Sequence, residues 1–454
     1  MHAVEVVAAF VLAIAGAPQD PGETPDAWRR LRGAFARRTT EGGLVLGLEE
    51  PDPLLWPTSD HLLEPERHAE LMAAIDAFVS ADEASRLDDP LRRVLLQHDL
   101  WAVFDWAVAA TVEEDAGRSA RRDELGRALA RALACSAPTA DEIDGLPDNL
   151  ARAAADGLPA EPDPAHPRAP FLPGDLARRG GPWVLLGDVT APQTPLAAVH
   201  ADVFGGRSLF EVRLRLPGAR EDALRYLELL REHPAPTVAC DGSRCHGFDP
   251  RMGRWHAHLN PDLPEPPAGS MVALVRRLLA FDDRGELHAT PVVKNVQLRA
   301  FLPAPEDTPS AGLPLPEGWP WQAVAELHLD REALLAGGGG LAPILPGQHA
   351  FAFLGAHGDE VELHGDFDPR RTGPRDAGRL ASCGACHGVA GILSVNSYTG
   401  IATGPRTHLH VPLRGPPRRL DVQDFQALAE RALRFKRARF DWGVLWARLV
   451  DEDG

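Results

Sequence analysis

The strongest constraint on this chain is a change of hydrophobic period across a proline-rich tract. Residues 60–156 place apolar side chains three and four residues apart, as in ERHAELMAAIDAFV, PLRRVLLQHDLWAVFDWAVAATV and RRDELGRALARALA, the spacing of one helix face. Asp89 ahead of Pro90, and Thr139 ahead of Asp141 and Glu142, are residue types that begin helices. After the tract GLPAEPDPAHPRAPFLPG, residues 182–370 turn to short β-type runs: PWVLLGDV, SLFEVRLRL, MVALVRRLLAF, VKNVQLRAFL, AVAELHL and HAFAFLGA. One amphipathic helix, REDALRYLELLREH, interrupts them, and the tetraglycine 337–340 reads as a flexible loop. The expected class is α+β.

These changes set the expected boundaries. A helical domain spans 60–156, a stiff proline-rich linker 157–181, and a β-rich α+β domain 182–370. A last segment, 371–454, ends in the amphipathic run DVQDFQALAERALRFKRARF, a helix expected to open near Asp421. At 454 residues the chain exceeds what one hydrophobic core usually organises, so two or three domains are expected.

The N-terminus bears on compartment. From Ala3 to Ala15 the chain is almost continuously apolar, which is the length of a secretory h-region and too short for a membrane span. Ala13-Ile14-Ala15 places cleavage after Ala15, giving a signal peptide 1–15 and a leader 16–59. The start carries Glu5 and lacks the Lys or Arg that usually precedes such a run. No later stretch reaches 18 apolar residues, so a periplasmic or secreted protein, soluble after export, is expected. With 47 basic and 65 acidic residues the net charge of -18 repels phosphate backbones and argues against nucleic acid as a partner.

In an exported protein, close cysteine pairs are expected to be disulfides, metal ligands or covalent cofactor anchors. Of the five cysteines, Cys135 lies in RALARALACSA, where helical periodicity suggests a buried thiol. The other four form two close pairs. In LASCGACHGV, Cys383 and Cys386 are separated by Gly384 and Ala385 and followed at once by His387. Covalent haem attachment uses this arrangement: two thiols reach the two vinyl groups on one porphyrin edge, and the imidazole meets the iron.

Over about ten residues, and in the export signal, the chain resembles the c-type cytochromes. The resemblance implies haem c bound through Cys383 and Cys386, His387 as axial iron ligand, and one-electron transfer with a redox partner protein; 371–454 is then a haem c segment with a terminal helix. Two departures stand out: no methionine follows Met271 to serve as sixth ligand, and no amphipathic helix precedes Cys383. His408 and His410 in THLHV are the nearest downstream candidates, at strand spacing so that only one can face the iron. His349, His357 and His364 lie upstream. Three other readings stay open: zinc with help from His408 and His410, a redox CxxC, and a short-loop disulfide.

The second pair, Cys240 and Cys245, is followed by His246 in ACDGSRCHGFDPRMGRWHAHLNP. This CxxxxCH resembles the spacing of some multihaem cytochromes over seven residues, which implies a possible second haem. Asp241-Gly242 favours a tight turn that a disulfide would staple, and a metal site with His256 or His258 is the third reading. Two haem sites about 140 residues apart would resemble dihaem cytochrome c peroxidases, although the β-rich texture between them does not. No P-loop, dinucleotide fingerprint, HExxH or GxSxG is present. The leading expectation is an electron carrier. The alternatives are a secreted binding or adaptor protein with disulfide-paired cysteines and a haem peroxidase-like enzyme.

Overall fold

The computed structural model describes residues 31, 34–35, 38–39, 45–46, 60–80, 87–109, 115–188, 195–203, 205–233, 237–238, 258–259, 264–303, 322–344, 387, 391–395, 401–404, 407–412 and 419–451. The expected signal peptide 1–15, both cysteine pairs and the run HAFAFLGA lie outside them.

The architecture is α+β. The described strands, numbered in chain order, include β1 (Arg38–Thr39), β2 (Val45–Leu46), β5 (Thr237–Val238), β6 (His258–Leu259), β11 (Ile401–Gly404) and β12 (Thr407–Pro412), and the other seven form one antiparallel sheet in the order β10 (Leu341–Pro343), β9 (Gln322–Leu329), β8 (Leu287–Phe301), β7 (Met271–Phe281), β4 (Ser208–Arg215), β3 (Val184–Asp188) and β13 (Leu420–Val422). Five of these are the β-type runs of the sequence. The strand Leu420–Val422 departs from expectation. Asp421 pairs with Gly187 in the sheet instead of opening a helix, and the helix begins at Phe425 with Asp424 as its cap. Its amphipathic spacing continues past a break into a second helix, Phe440–Asp451.

Register lays out one sheet face in three rows. Phe210 pairs with Arg276, Arg276 with Asn295, and Asn295 with His328. The next row runs Val212, Leu274, Gln297, Glu326, and the third Leu214, Val272, Arg299, Val324. Because directly paired residues share a face, the β4 and β7 side is mostly apolar, whereas β8 and β9 carry most of the polar side chains. Val212, Leu214 and Val272 pack with Ala201 and with Ala223, Tyr226, Leu227 and Leu230 of helix Arg220–Glu232. The opposite face, including Val275, Val296 and Leu298, packs against Phe171, Leu172, Leu176 and Trp183. Segment 157–181, expected from sequence to be a stiff proline-rich linker, thus contributes three buried apolar side chains to this core.

Helices α1 (Pro65–Val79), α2 (Pro90–Val108) and α3 (Ala116–Ser136) are the helical runs of the N-terminal part. Asp89 caps α2 by accepting from the Leu91 N–H at 2.9 Å, and Thr139 and Glu142 form a capping box on helix Ala140–Asp144. Trp101 of α2 is buried against Phe281 of β7 and Trp442 of the last helix, at centroid distances of 5.4 and 5.5 Å. Gln97 of α2 exchanges two hydrogen bonds with the Phe281 backbone. Helices from both ends of the chain therefore share one apolar cluster with Leu209, Leu279, Phe281 and Leu287 of the sheet.

Two local expectations are corrected. Cys135 is exposed, because the buried stripe of α3 runs through Leu125, Leu129, Ala132, Leu133 and Ser136, and a residue two past Leu133 is turned roughly 200° from it. The tetraglycine is an ordered turn whose Gly339 N–H donates to the Asp156 carboxylate at 3.0 Å. Gly337 and Gly340 there take φ of 93° and 59°, where a side chain would be strained. Among the described residues no helix is long and apolar enough to cross a membrane.

Candidate functional site

His387 is the one residue of the CxxCH motif among the described residues. Its imidazole is held by a short turn just beyond it. Residues Gly391–Ser394 form a single 3-10 turn, and Gly391 has φ of 58°. A Cβ there would come within 1.7 Å of a Glu265 carboxylate oxygen, so position 391 requires glycine twice over. Glu265 accepts the Ile392 N–H at 2.8 Å, which pins the turn to the segment before β7. Burial pushes the Glu265 carboxyl above its usual range.

That turn presents the Ser394 carbonyl to two donors. Nδ1 of His387 donates to it at 2.7 Å, and Nη1 of Arg299 from β8 donates at 2.9 Å. A carbonyl only accepts, so the proton of the neutral imidazole sits on Nδ1 and the lone pair on Nε2. Gln322, at the start of β9, donates from Nε2 to the His387 carbonyl at 2.9 Å. Both the backbone and the ring of His387 are therefore fixed to the polar side of the sheet.

The second ring of the site is His200, on helix Ala198–Val203. It lies nearly parallel to His387, with centroids 6.4 Å apart and planes 22° apart, and it stacks on Phe210 on its other flank at 6.1 Å. Burial and the Arg276 and Arg299 guanidiniums pull its pKa down to about 4. Burial, and then Arg299, pull that of His387 down to about 3, against the opposing pull of the Ser394 carbonyl. Both rings are neutral at ordinary pH, the state in which imidazole binds a metal. The charges acting on the pair are cationic. Among the described residues no three His, Cys, Asp or Glu side chains converge as a metal site.

In the sheet row next to Arg299, Glu326 is 1% exposed and accepts from Asn295 at 3.0 Å and Gln297 at 3.2 Å through Oε1. Its Oε2 is buried with no hydrogen-bond partner among the described residues. The polar half of the sheet face is thus built from paired amides, one carboxylate and two guanidinium-bearing strands.

The other sequence candidates stand apart from this description. Cys383 and Cys386 directly precede His387 but lie outside the described residues, as do Cys240, Cys245, His246, His256, His349, His357 and His364. His408 and His410 lie on strand Thr407–Pro412, which pairs with Ile401–Gly404 in a two-stranded ribbon. His258 lies on the short strand His258–Leu259. Sequence reading missed His200, which sits in LAAVHADVF with no motif around it. It also missed Arg276 and Arg299, whose only signal was period-two placement in strand-like runs. No protein-family model matches the chain, and no curated protein and no solved structure matches it either.

Proposed function

We propose that this is an exported c-type haem protein that carries single electrons. In this reading Cys383 and Cys386 hold the porphyrin through two thioether links, His387 binds the iron, and 371–454 is the haem c segment built against the sheet. One observation carries the reading: the Nδ1 hydrogen bond of His387 to the Ser394 carbonyl leaves the Nε2 lone pair as the ligating atom. An outer hydrogen bond of this kind orients a metal-binding histidine and raises its basicity.

The donor set fits the group. A neutral imidazole of fixed tautomer follows the second thiol in sequence, with the Arg299 guanidinium beside it. Haem held there would supply a one-electron couple between a reduced donor protein and an oxidised acceptor protein. The protein's part would be to fix the His387 ligand through Ser394 and to set the local charge through Arg299. Attachment through cysteine keeps the cofactor on a protein working outside the cytoplasm, in the periplasm or secreted, which accords with the apolar run 3–15.

The test is a potentiometric titration of protein produced with the haem c maturation machinery. The expected result is a reversible one-electron transition with the pyridine haemochrome of covalent haem. A colourless protein whose four paired cysteines form disulfides would replace this reading with the adaptor.

A further inference from the structure

We propose that the last helix, Phe440–Asp451, is where two copies of this chain pair, antiparallel and across a two-fold axis. The inference goes beyond the electron-carrier reading and does not depend on it. Phe440, Trp446 and Val450 are 72%, 39% and 50% exposed, and Gly443 and Ala447 between them are exposed as well. With 3.6 residues per turn all five lie within about 120° of the helix circumference, and none of them is charged. The opposite face, through Trp442 and Leu445, is buried in the cluster that holds Trp101 and Phe281. The helix is therefore apolar on its outer face as well as its inner one, the pattern of a helix covered on both.

Two features prepare the outer face for contact. Trp446 is already fixed in place: its ring stacks on Trp442 with centroids 6.2 Å apart, and a Cβ at Gly285, between β7 and β8, would come within 2.4 Å of it. An aromatic anchor held in this way loses little freedom when a partner covers it. Gly443 is the second feature. Glycine weakens a helix interior, yet a Cβ at position 443 would meet nothing within 4 Å among the described residues. The fold of the single chain does not call for glycine there, whereas close approach of a second helix does.

The occupant is a second copy because the stripe is complementary to itself. When two of these helices run antiparallel, Phe440 of each lies opposite Val450 of the other, and Gly443 opposite Ala447. Large side chains meet at the ends and small ones near the centre. Charge points the same way. Arg434 and Arg437, both exposed, precede the helix, Arg437 remaining half-exposed with Glu286 beside it, and Asp451, Glu452 and Asp453 stand at the other end in sequence. Antiparallel pairing sets the basic start of each helix against the acidic end of its partner and aligns the helix dipoles favourably. An anionic lipid surface suits the stripe less, because the net charge of -18 repels it.

One helix stripe covers less than the roughly 800 Å² per partner of a standard stable interface, so pairing in the micromolar range is expected. Analytical ultracentrifugation of the full chain, from about 1 to about 100 µM, should show a concentration-dependent equilibrium of monomer and dimer. Phe440→Asp, at so exposed a position, should fold as the parent does and raise the dissociation constant about tenfold or more. Gly443→Gln should do the same while the dilute monomer melts at an equal or higher temperature, because the single chain has room for the side chain and gains helix propensity. Leu229→Asp, on the exposed side of another helix, should pair like the parent. A parent that stays monomeric across this range would overturn the inference, as would a dimer that either Phe440→Asp or Gly443→Gln leaves intact. A monomeric parent that sediments with phosphatidylcholine vesicles, and loses this in Phe440→Asp, would also overturn it and assign the stripe to a membrane surface. The haem reading stands or falls separately, on intact mass.

Discussion

The protein buries two polar clusters, and they are built differently. Around Lys436, which is 0% exposed, the ammonium meets Asp105 at 3.1 Å, the Gly205 carbonyl at 2.7 Å and Asp441, and lies 4.7 Å from the centre of the Trp101 ring. Arg207 binds the same Asp105, and Arg439 binds Asp441 at 2.9 Å and Asp202. Cations and carboxylates alternate, and every charge has an opposite within the protein. Around His200 and His387 the centre is two neutral rings, with the Arg276 and Arg299 guanidiniums lowering the pKa of His200 and Arg299 that of His387. The first cluster closes on itself and ties α2, β4 and the C-terminal helices together. The second sets two neutral rings beside a sheet face that carries both guanidiniums and the Glu326 carboxylate.

The largest effect that sharpens this contrast is on the closed cluster. Lys436→Met leaves three carboxylates facing two guanidiniums and should lower the unfolding free energy by about 3–5 kcal/mol in urea denaturation, with no change in the reduction potential of protein that has been loaded with haem. Arg299→Met should behave oppositely. Its loss removes a hydrogen bond to Ser394 and costs about 1–2 kcal/mol, but it should lower the reduction potential, because a nearby positive charge favours the ferrous state. Equal stability losses in the two variants, or a potential shift in Lys436→Met alone, would break the comparison.

The smallest effect concerns His98 on α2. Its Nε2 accepts from the Lys294 ammonium at 2.8 Å, and burial, then Lys294, hold its pKa well below the usual value. A folded pKa depressed below the unfolded one gives stability that is full above about pH 6.5 and is lost as pH falls toward the folded value. The melting temperature of the parent should therefore drop more steeply from pH 7 to 5 than that of His98→Gln, by roughly 2 °C. Parallel pH profiles would show that His98 does not stay neutral.

The legible part of the fold was what local chemistry encodes. The β-type runs SLFEVRLRL and MVALVRRLLAF marked β4 and β7, and the caps at Asp89 and Thr139 rest on side-chain chemistry within three residues. What long-range pairing decides was hidden. Asp421 looks like a helix start, yet its backbone completes the sheet against Gly187, 234 positions away. Cys135 looked buried because a helical run is apolar on most sides, and only the position of the bundle shows which side faces out. The candidate site divides in the same way. The CxxCH stretch announced His387, whereas His200 is 187 positions earlier and reaches it only through the order of strands β4, β7 and β8.

The account depends most on what Cys383 and Cys386 carry. Intact mass of the full chain, produced in a host competent for haem c maturation, reads this directly. It should exceed the polypeptide mass by about 616 Da per haem, and the gain should vanish in a Cys383→Ala, Cys386→Ala protein. A mass about 2 Da below the reduced chain for each cysteine pair, with no added tetrapyrrole, would contradict it.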